Sequence, residues 1–259
     1  MVYYSVSLND LEYFFLILVR IAAFLRVAPL IGGRDVPTKV KAGLAFVLSI
    51  MLYPIVDRKG LEYVGAIGFA SFVVIEVMTG LLIGFAANIC NFIVLFAGNI
   101  IDMDIGLSMA TEFNPQTNSE VTITGNLYQY LVTLLLIASN MHIYIIEAFS
   151  DSFKLIPLGR AQFEWEFLLK AMIKYMCDTC VIGFRIFLPF FACIMILNCV
   201  LGIMAKVAPQ MNMFAVGMQM KVLVGLAVMF MTSFMMSKIA VIIADEMKEL
   251  IHLMIEGMH

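Results

Sequence analysis

The sequence predicts an all-α protein of membrane type, built from long apolar helices and broken helical hairpins. Three observations carry that prediction. Of the 259 residues, 63% are hydrophobic and 14% charged, whereas soluble domains run near half apolar and about a quarter charged. The mean hydropathy is +0.99, more apolar surface than a soluble globule of this length could hide. The apolar runs are continuous rather than alternating, which argues against a β-barrel.

Those runs cover 11–31, 42–56, 64–101, 121–147, 167–204 and 213–243. A hydrocarbon layer of about 30 Å takes about 20 helical residues. Segment 42–56 falls short of that and contains Pro54. Segments 64–101 and 167–204 exceed one span, so each should bend or break, at Gly80 and Gly84 in the first and at Pro189 in the second. Gly80 and Gly84, with Ala87 after them, also make a small-residue face that lets a second helix approach closely. The chain reads as a single domain, 1–259, ending in an amphipathic tail, 245–259. Ile251, Met254 and Ile255 share one face of it, against Glu246, Lys248 and Glu249. A helix end leaving the apolar zone is expected there, rather than a docking helix.

Charge placement is uneven. The net charge of −3 and the lack of a basic stripe exclude a nucleic-acid partner. Asp10 and Glu12 precede the first apolar run and Arg20 lies inside it, unlike a cleavable signal. Arg34, Lys39, Lys41, Arg58 and Lys59 flank segment 42–56 on both sides. No Lys or Arg then occurs from Gly60 to Phe153, where Asp102, Asp104, Glu112 and Glu120 are found. The positive-inside rule places 102–120 away from the cytoplasm. Basic clusters on both sides of 42–56 nevertheless argue against a simple crossing there and against a conventional zig-zag.

Two breaks in the apolar pattern carry the functional information. One runs from Gly106 to Asn118 and holds Asn114-Pro115-Gln116-Thr117-Asn118. The other runs from Lys206 to Phe214 and holds Pro209-Gln210-Met211-Asn212. In hydrocarbon an interrupted helix persists only where protein or water satisfies the freed backbone groups. Both breaks should therefore face partner protein or an aqueous path, as in a conduit component. Gly106 and Gly125 bracket a loop with apolar Leu107, Met109 and Phe113, and Asn114-Pro115 and Asn118 favour turns.

Arg20, Glu76, Glu147, Asp178 and Arg185 lie within or at the ends of apolar runs. A charge at a helix centre costs about 2.5–3.5 kcal/mol, and each Leu or Ile offsets only about 0.3–0.6. Arg20, Glu76, Arg185 and Lys221 are the ion-pair candidates, with a neighbouring subunit as the expected partner. A proton relay is disfavoured because no Asp, Glu or His series recurs at helical spacing. The five cysteines, Cys90, Cys177, Cys180, Cys193 and Cys199, are expected to be small buried hydrophobes. Cys177 and Cys180 lack a second pair or a His at ligand spacing, so neither metal nor disulfide is assigned. The 21 methionines suit irregular packing and could seal around a variable object, though plain apolar filling is the expectation. No phosphate loop, zinc-helix motif or nucleophile elbow is present, and Ser108 has no activating partner. No catalytic residue and no cofactor is expected.

Several longer motifs occur in a fixed order. They are Arg20-Ile21 through Ala28-Pro29-Leu30, Gly32-Gly33-Arg34, Val36-Pro37, Lys41 to Ala45, Glu76-Val77 with Gly80 and Gly84, and Gly106 through Gln116. Arg185, Pro189, Gly202, Ala208-Pro209-Gln210-Met211-Asn212-Met213-Phe214 and Lys221 follow. In these the chain resembles, nearly end to end, the FliR family of flagellar type III secretion export-gate subunits, whose injectisome relatives are called SctT. Asn114, Asn198 and Lys206 depart from the family, which has an acid, an acid and Arg there.

The resemblance implies a non-enzymatic core subunit of the flagellar protein export gate, present in one copy. Its partners would be other small apolar export-gate subunits, the switch subunit and unfolded secreted flagellar proteins. Its place would be the bacterial inner (cytoplasmic) membrane and the flagellar basal body, with some helices in a cone above the bilayer plane. The central plug-like loop, 102–120, would close the channel, with Gly106, Leu107, Ser108, Met109, Phe113, Asn114, Pro115 and Gln116 as the plug. Pro209, Gln210, Met211, Asn212 and Phe214 would form a gate helix break. A secondary transporter with discontinuous helices and the homologous subunit of a virulence injectisome are the alternatives, and an intramembrane enzyme ranks last.

Overall fold

Helix α1 (Leu8–Val27) has neither Gly nor Pro within it and gives way just before Pro29. Helices α2 (Thr38–Leu52), α3 (Gly65–Ala87), α4 (Ile89–Ile105), α5 (Ile123–Ala138), α6 (Met141–Leu155), α7 (Trp165–Val207), α8 (Met213–Ser233) and α9 (Met236–Glu256) follow. The computed structural model describes residues 8–29, 32, 36–56, 63, 65–110, 113–114, 119–120, 122–210 and 212–259. The chain is all-α, as expected. Among the described residues, extended structure is one antiparallel pair, β1 (Phe113–Asn114) with β2 (Ser119–Glu120), between α4 and α5.

Two compact units are formed. Unit 1 comprises Met1–Ile89, Asn140–Tyr175 and Glu246–His259, and unit 2 comprises Cys90–Ser139 and Met176–Asp245. Leu16, Ile17, Ile21 and Leu25 of α1 are fully buried in unit 1. Phe24 stacks on Phe149 of α6 at 4.1 Å between ring centroids. In unit 2, Ile93, Ala97, Ile101, Tyr128, Phe190 and Ile194 are buried, and the Tyr128 hydroxyl shares a 2.8 Å hydrogen bond with Thr232 of α8.

The breaks differ from those the sequence suggested. Gly80 and Gly84 do not interrupt a helix. They lie in α3 where it packs on α1, and a Cβ at Gly80 would overlap the Arg20 carbonyl oxygen. The interruption of 64–101 comes instead at Asn88, between α3 and α4. Segment 121–147 also breaks, at Ser139 and Asn140, with Asn140 in the left-handed region at φ 59°. Pro189 leaves α7 continuous over 43 residues. It frees only the Arg185 carbonyl, a loss that one long helix tolerates.

The C-terminal tail packs back onto its own chain. Helix α9 runs through position 245 without a break, and Ile251, Met254, Ile255 and Met258 are buried. The Gln162 and Glu164 N–H groups donate to the Met258 and Gly257 carbonyls at 3.2 and 3.1 Å, and Lys174 of α7 pairs with Glu246 and Glu249. Among the described residues, three helices are long and apolar enough to cross a membrane, Gly65–Ala87, Trp165–Val207 and Phe214–Ser233, and the α5–α6 pair is a broken candidate. This is the helix inventory of a multi-pass membrane protein.

Candidate functional site

The first sequence break is built on the end of α4 in unit 2. Gly98, Asp102 and Gly106 follow at intervals of four, so Gly98 and Asp102 share one face of α4. A Cβ on Gly98 would overlap the Gly125 backbone, so α4 and α5 meet main chain to main chain. One turn later the Asp102 carboxylate, 1% exposed, accepts from the Thr124 N–H at 3.1 and 3.3 Å. The Thr124 hydroxyl donates to the same carboxylate. Thr124 lies in the first turn of α5, while Thr122, the residue in capping position, makes no side-chain capping bond. The cap of α5 therefore comes from α4, across the whole connection.

At the next turn, Gly106 donates its N–H to the Asp102 carbonyl at 3.0 Å and turns the chain at φ +90°, a conformation that suits Gly alone. The expected loop 102–120 thus begins later, because Asp102 to Ile105 form the last turn of α4. Leu107, Ser108, Met109 and Ala110 make a 3-10 turn. Phe113 pairs with Glu120 and Asn114 with Ser119. Pro115 and Gln116 lie outside the described residues, as does Met211 of the second break.

Helix α8 packs beside this base. Gly225 sits against the buried Ile105 side chain. Burial pushes the Asp104 carboxyl above its ordinary range, and the Lys221 ammonium partly offsets that. Asp104 Oδ2 is buried without a hydrogen-bond partner among the described residues. At the second break, Pro209 and Gln210 form the turn from α7 into α8. Asn212 caps α8, accepting from the Ala215 N–H at 3.5 Å. Phe214 is 72% exposed.

Arg20 and Glu76 pair with each other rather than with a neighbouring subunit. Both are fully buried in unit 1. The guanidinium forks onto both carboxylate oxygens, donates to the Ile156 carbonyl at 3.1 Å and lies 4.5 Å from the Phe153 ring centroid. Glu76 also accepts from the Gly159 N–H at 2.8 Å. Arg185 is exposed on α7 and Lys221 half-buried on α8, and neither forms a salt bridge among the described residues. The cysteines depart from the buried expectation as well: Cys90 is buried and Cys193 half-buried, but Cys177, Cys180 and Cys199 are exposed.

Asp102, Thr124 and Gly98 were not singled out by motif reading. The available signal was the Gly-Asp-Gly spacing of four before a polar break, opposite Thr122, Thr124 and Gly125 at the next helix start.

Comparison with known proteins places this architecture. The family model described as "Bacterial export proteins, family 1" matches residues 11–247. The flagellar biosynthetic protein FliR of Escherichia coli is 27% identical over 223 residues, 86% of this chain and 84% of that protein. FliR of Bacillus subtilis is 29% identical over 214 residues, covering 82% of each. FliR of Caulobacter vibrioides is 25% identical over 241 residues, 91% of this chain and 93% of that protein. The chain belongs to the bacterial export proteins, family 1, in the FliR line of flagellar biosynthetic proteins.

Proposed function

We propose that the chain is a non-enzymatic core subunit of the flagellar type III export gate. It would help form the channel through which unfolded flagellar proteins leave the cytoplasm, with energy supplied by other components. The observation that carries the reading is the connection between α4 and α5. An apolar helical hairpin is pinned at its base by a buried carboxylate and a glycine crossing, yet it carries a polar, Pro-Gln-containing excursion. A polar connection anchored at its root suits a plug that blocks ions and yields to a passing chain.

Exposed apolar surface supports a subunit within an assembly. Leu188, Phe191, Ile196, Ile203 and Val207 on α7 are between 43% and 77% exposed, apolar side chains that partner protein or lipid would cover. Other small apolar export-gate subunits, the switch subunit and lipid of the inner membrane at the basal body would cover them. The plug is assigned to Gly106, Leu107, Ser108, Met109, Phe113, Asn114, Pro115 and Gln116, and the break at Pro209, Gln210, Met211, Asn212 and Phe214 to a gate hinge.

The test is to tag the chain in its native cell, extract it gently and identify what co-purifies at high mass. Recovery with other export-apparatus subunits is expected. A lone monomer or self-dimer, with other membrane complexes intact, would point to a secondary transporter. Deleting 107–116 should leave assembly unchanged and make cells leak small ions, and unchanged leak and export would remove the plug assignment.

A further inference from the structure

We propose that Arg185 pairs with a carboxylate of a neighbouring export-gate subunit, carried on an apolar helix that packs along the outer face of α7. The pairing rests on the assembly reading above.

Within unit 2, α7 carries two apolar stripes. One is used internally: Ile186, Phe190 and Ile194 recur every four residues and are at most 3% exposed. The other holds Val181, Phe184, Leu188, Phe191 and Met195, which are between 43% and 56% exposed. Their spacing is three, four, three and four, the a and d pattern of a helix that receives a second helix knobs-into-holes.

Arg185 follows Phe184 directly, at the e position beside this seam, and is exposed. Charges at e and g positions reach across to a partner helix and set its identity and orientation. From Thr179 to Ala205, Arg185 is the only Asp, Glu, Lys or Arg, so a partner meets a single charge there. Arg185 forms no salt bridge with its own chain among the described residues. A guanidinium enclosed in an apolar contact is costly without a counter-charge, and a carboxylate matches its fork with two parallel bonds. In unit 1 the same need is met within the chain, where Arg20 forks onto Glu76. At Arg185 the carboxylate has to come from outside. Lipid phosphate fits less well, because exposed apolar Val181 and Leu188 stand one turn before and after Arg185, whereas headgroups lie at the end of an apolar stretch.

The experiment uses cells with the complete export apparatus and a tagged chain. Arg185→Leu should lower recovery of the contacting subunit after a stringent wash by about tenfold or more, and Arg185→Lys by less. Arg185→Lys also supplies an amine. In gently extracted complexes a water-soluble carbodiimide condenses that amine with a touching carboxylate, forming an amide while the carbodiimide takes up the water. A cross-link from position 185 to an Asp or Glu in an apolar helix of another export-apparatus subunit is expected. Changing that acid to Lys should restore recovery with an Arg185→Glu chain.

Wild-type recovery in Arg185→Leu, with no protein linked to position 185, would place lipid there and overturn the pairing while the assembly reading stands. A link to a carboxylate of a second copy, traced with two differently tagged chains, would replace the pairing by self-association. Lost recovery in Arg185→Leu without any cross-link would assign the contact to the apolar seam alone and overturn the carboxylate. If Arg185→Leu fails to reach the membrane, Arg185→Gln decides, and wild-type recovery in that variant counts against the proposal. An unsubstituted chain that brings down no export-apparatus subunit would remove the assembly reading and the pairing with it.

Discussion

Arg20 and Glu76 illustrate what a charge needs in order to sit at the centre of an apolar unit. The pair is fully buried, and its remaining donors and acceptors reach Ile156 and Gly159 in the turn after α6. Replacing one partner leaves the other charge uncompensated. Arg20→Met or Glu76→Leu alone should each destabilise the chain by about 3–5 kcal/mol, read as the unfolding midpoint of the detergent-purified protein. The double replacement should recover much of that loss but not all, because the Ile156 carbonyl and Gly159 N–H lose their partners. An unchanged midpoint in the single variants would contradict the buried pairing. Asp104 is the opposite case. Burial raises its folded carboxyl pKa, and it sits in the last turn of α4, where the helix dipole also opposes negative charge. A raised folded pKa leaves stability untouched below the ordinary carboxylate range and lowers it as pH rises through the raised value. Asp104→Asn should therefore stabilise the purified chain at neutral pH, with the gain fading in acid. A gain that persists at low pH would exclude the titration as its cause.

At the scale of elements, glycines that look alike in sequence do different work. Gly80 lies where α3 meets the α1 backbone, so an added Cβ would strike the Arg20 carbonyl, whereas nothing lies within 4 Å of a Cβ at Gly202. Gly80→Ala should cost about 1–3 kcal/mol through overpacking, and Gly202→Ala should gain about 0.5–1 kcal/mol in helix propensity. Thermal unfolding of the two variants side by side checks the contrast, and equal effects would refute the close α1–α3 crossing. The small-residue face of α3 and the polar breaks were legible in the sequence, because glycine spacing and polar residues in an apolar run are local signals. The interruptions at Asn88 and Ser139–Asn140 were not. Each is a short turn inside an apolar run, and no Pro or Gly marks it.

The whole molecule shows why hydropathy alone misleads about topology. At 1.5 Å per residue, α7 is about 65 Å long, roughly twice a hydrocarbon layer. Length alone requires part of it to lie outside the bilayer or within an assembly. Its exposed Cys177, Cys180 and Cys199 contrast with buried Cys90 on α4. A small maleimide should label the three exposed α7 thiols in the isolated chain and spare Cys90. Protection of Cys177, Cys180 and Cys199 in the gate complex would map the face covered by partners. Equal labelling in both states would mean that this face stays outside the subunit contacts.

Composition and the order of the motifs were enough to determine an all-helical membrane-type chain of the FliR family and the position of its two polar breaks. Both follow from local quantities, apolar run length and residue pattern, that survive without tertiary contacts. Only the tertiary structure decided which charges pair, which cysteines are exposed, and that the α4–α5 connection is rooted in Asp102 and Thr124. It also brought the tail 246–259 back onto residues 162–174 of its own chain. Those contacts join residues distant along the chain, and a carboxylate's partner is chosen by which donors packing brings within about 3 Å, a distance that sequence spacing does not encode.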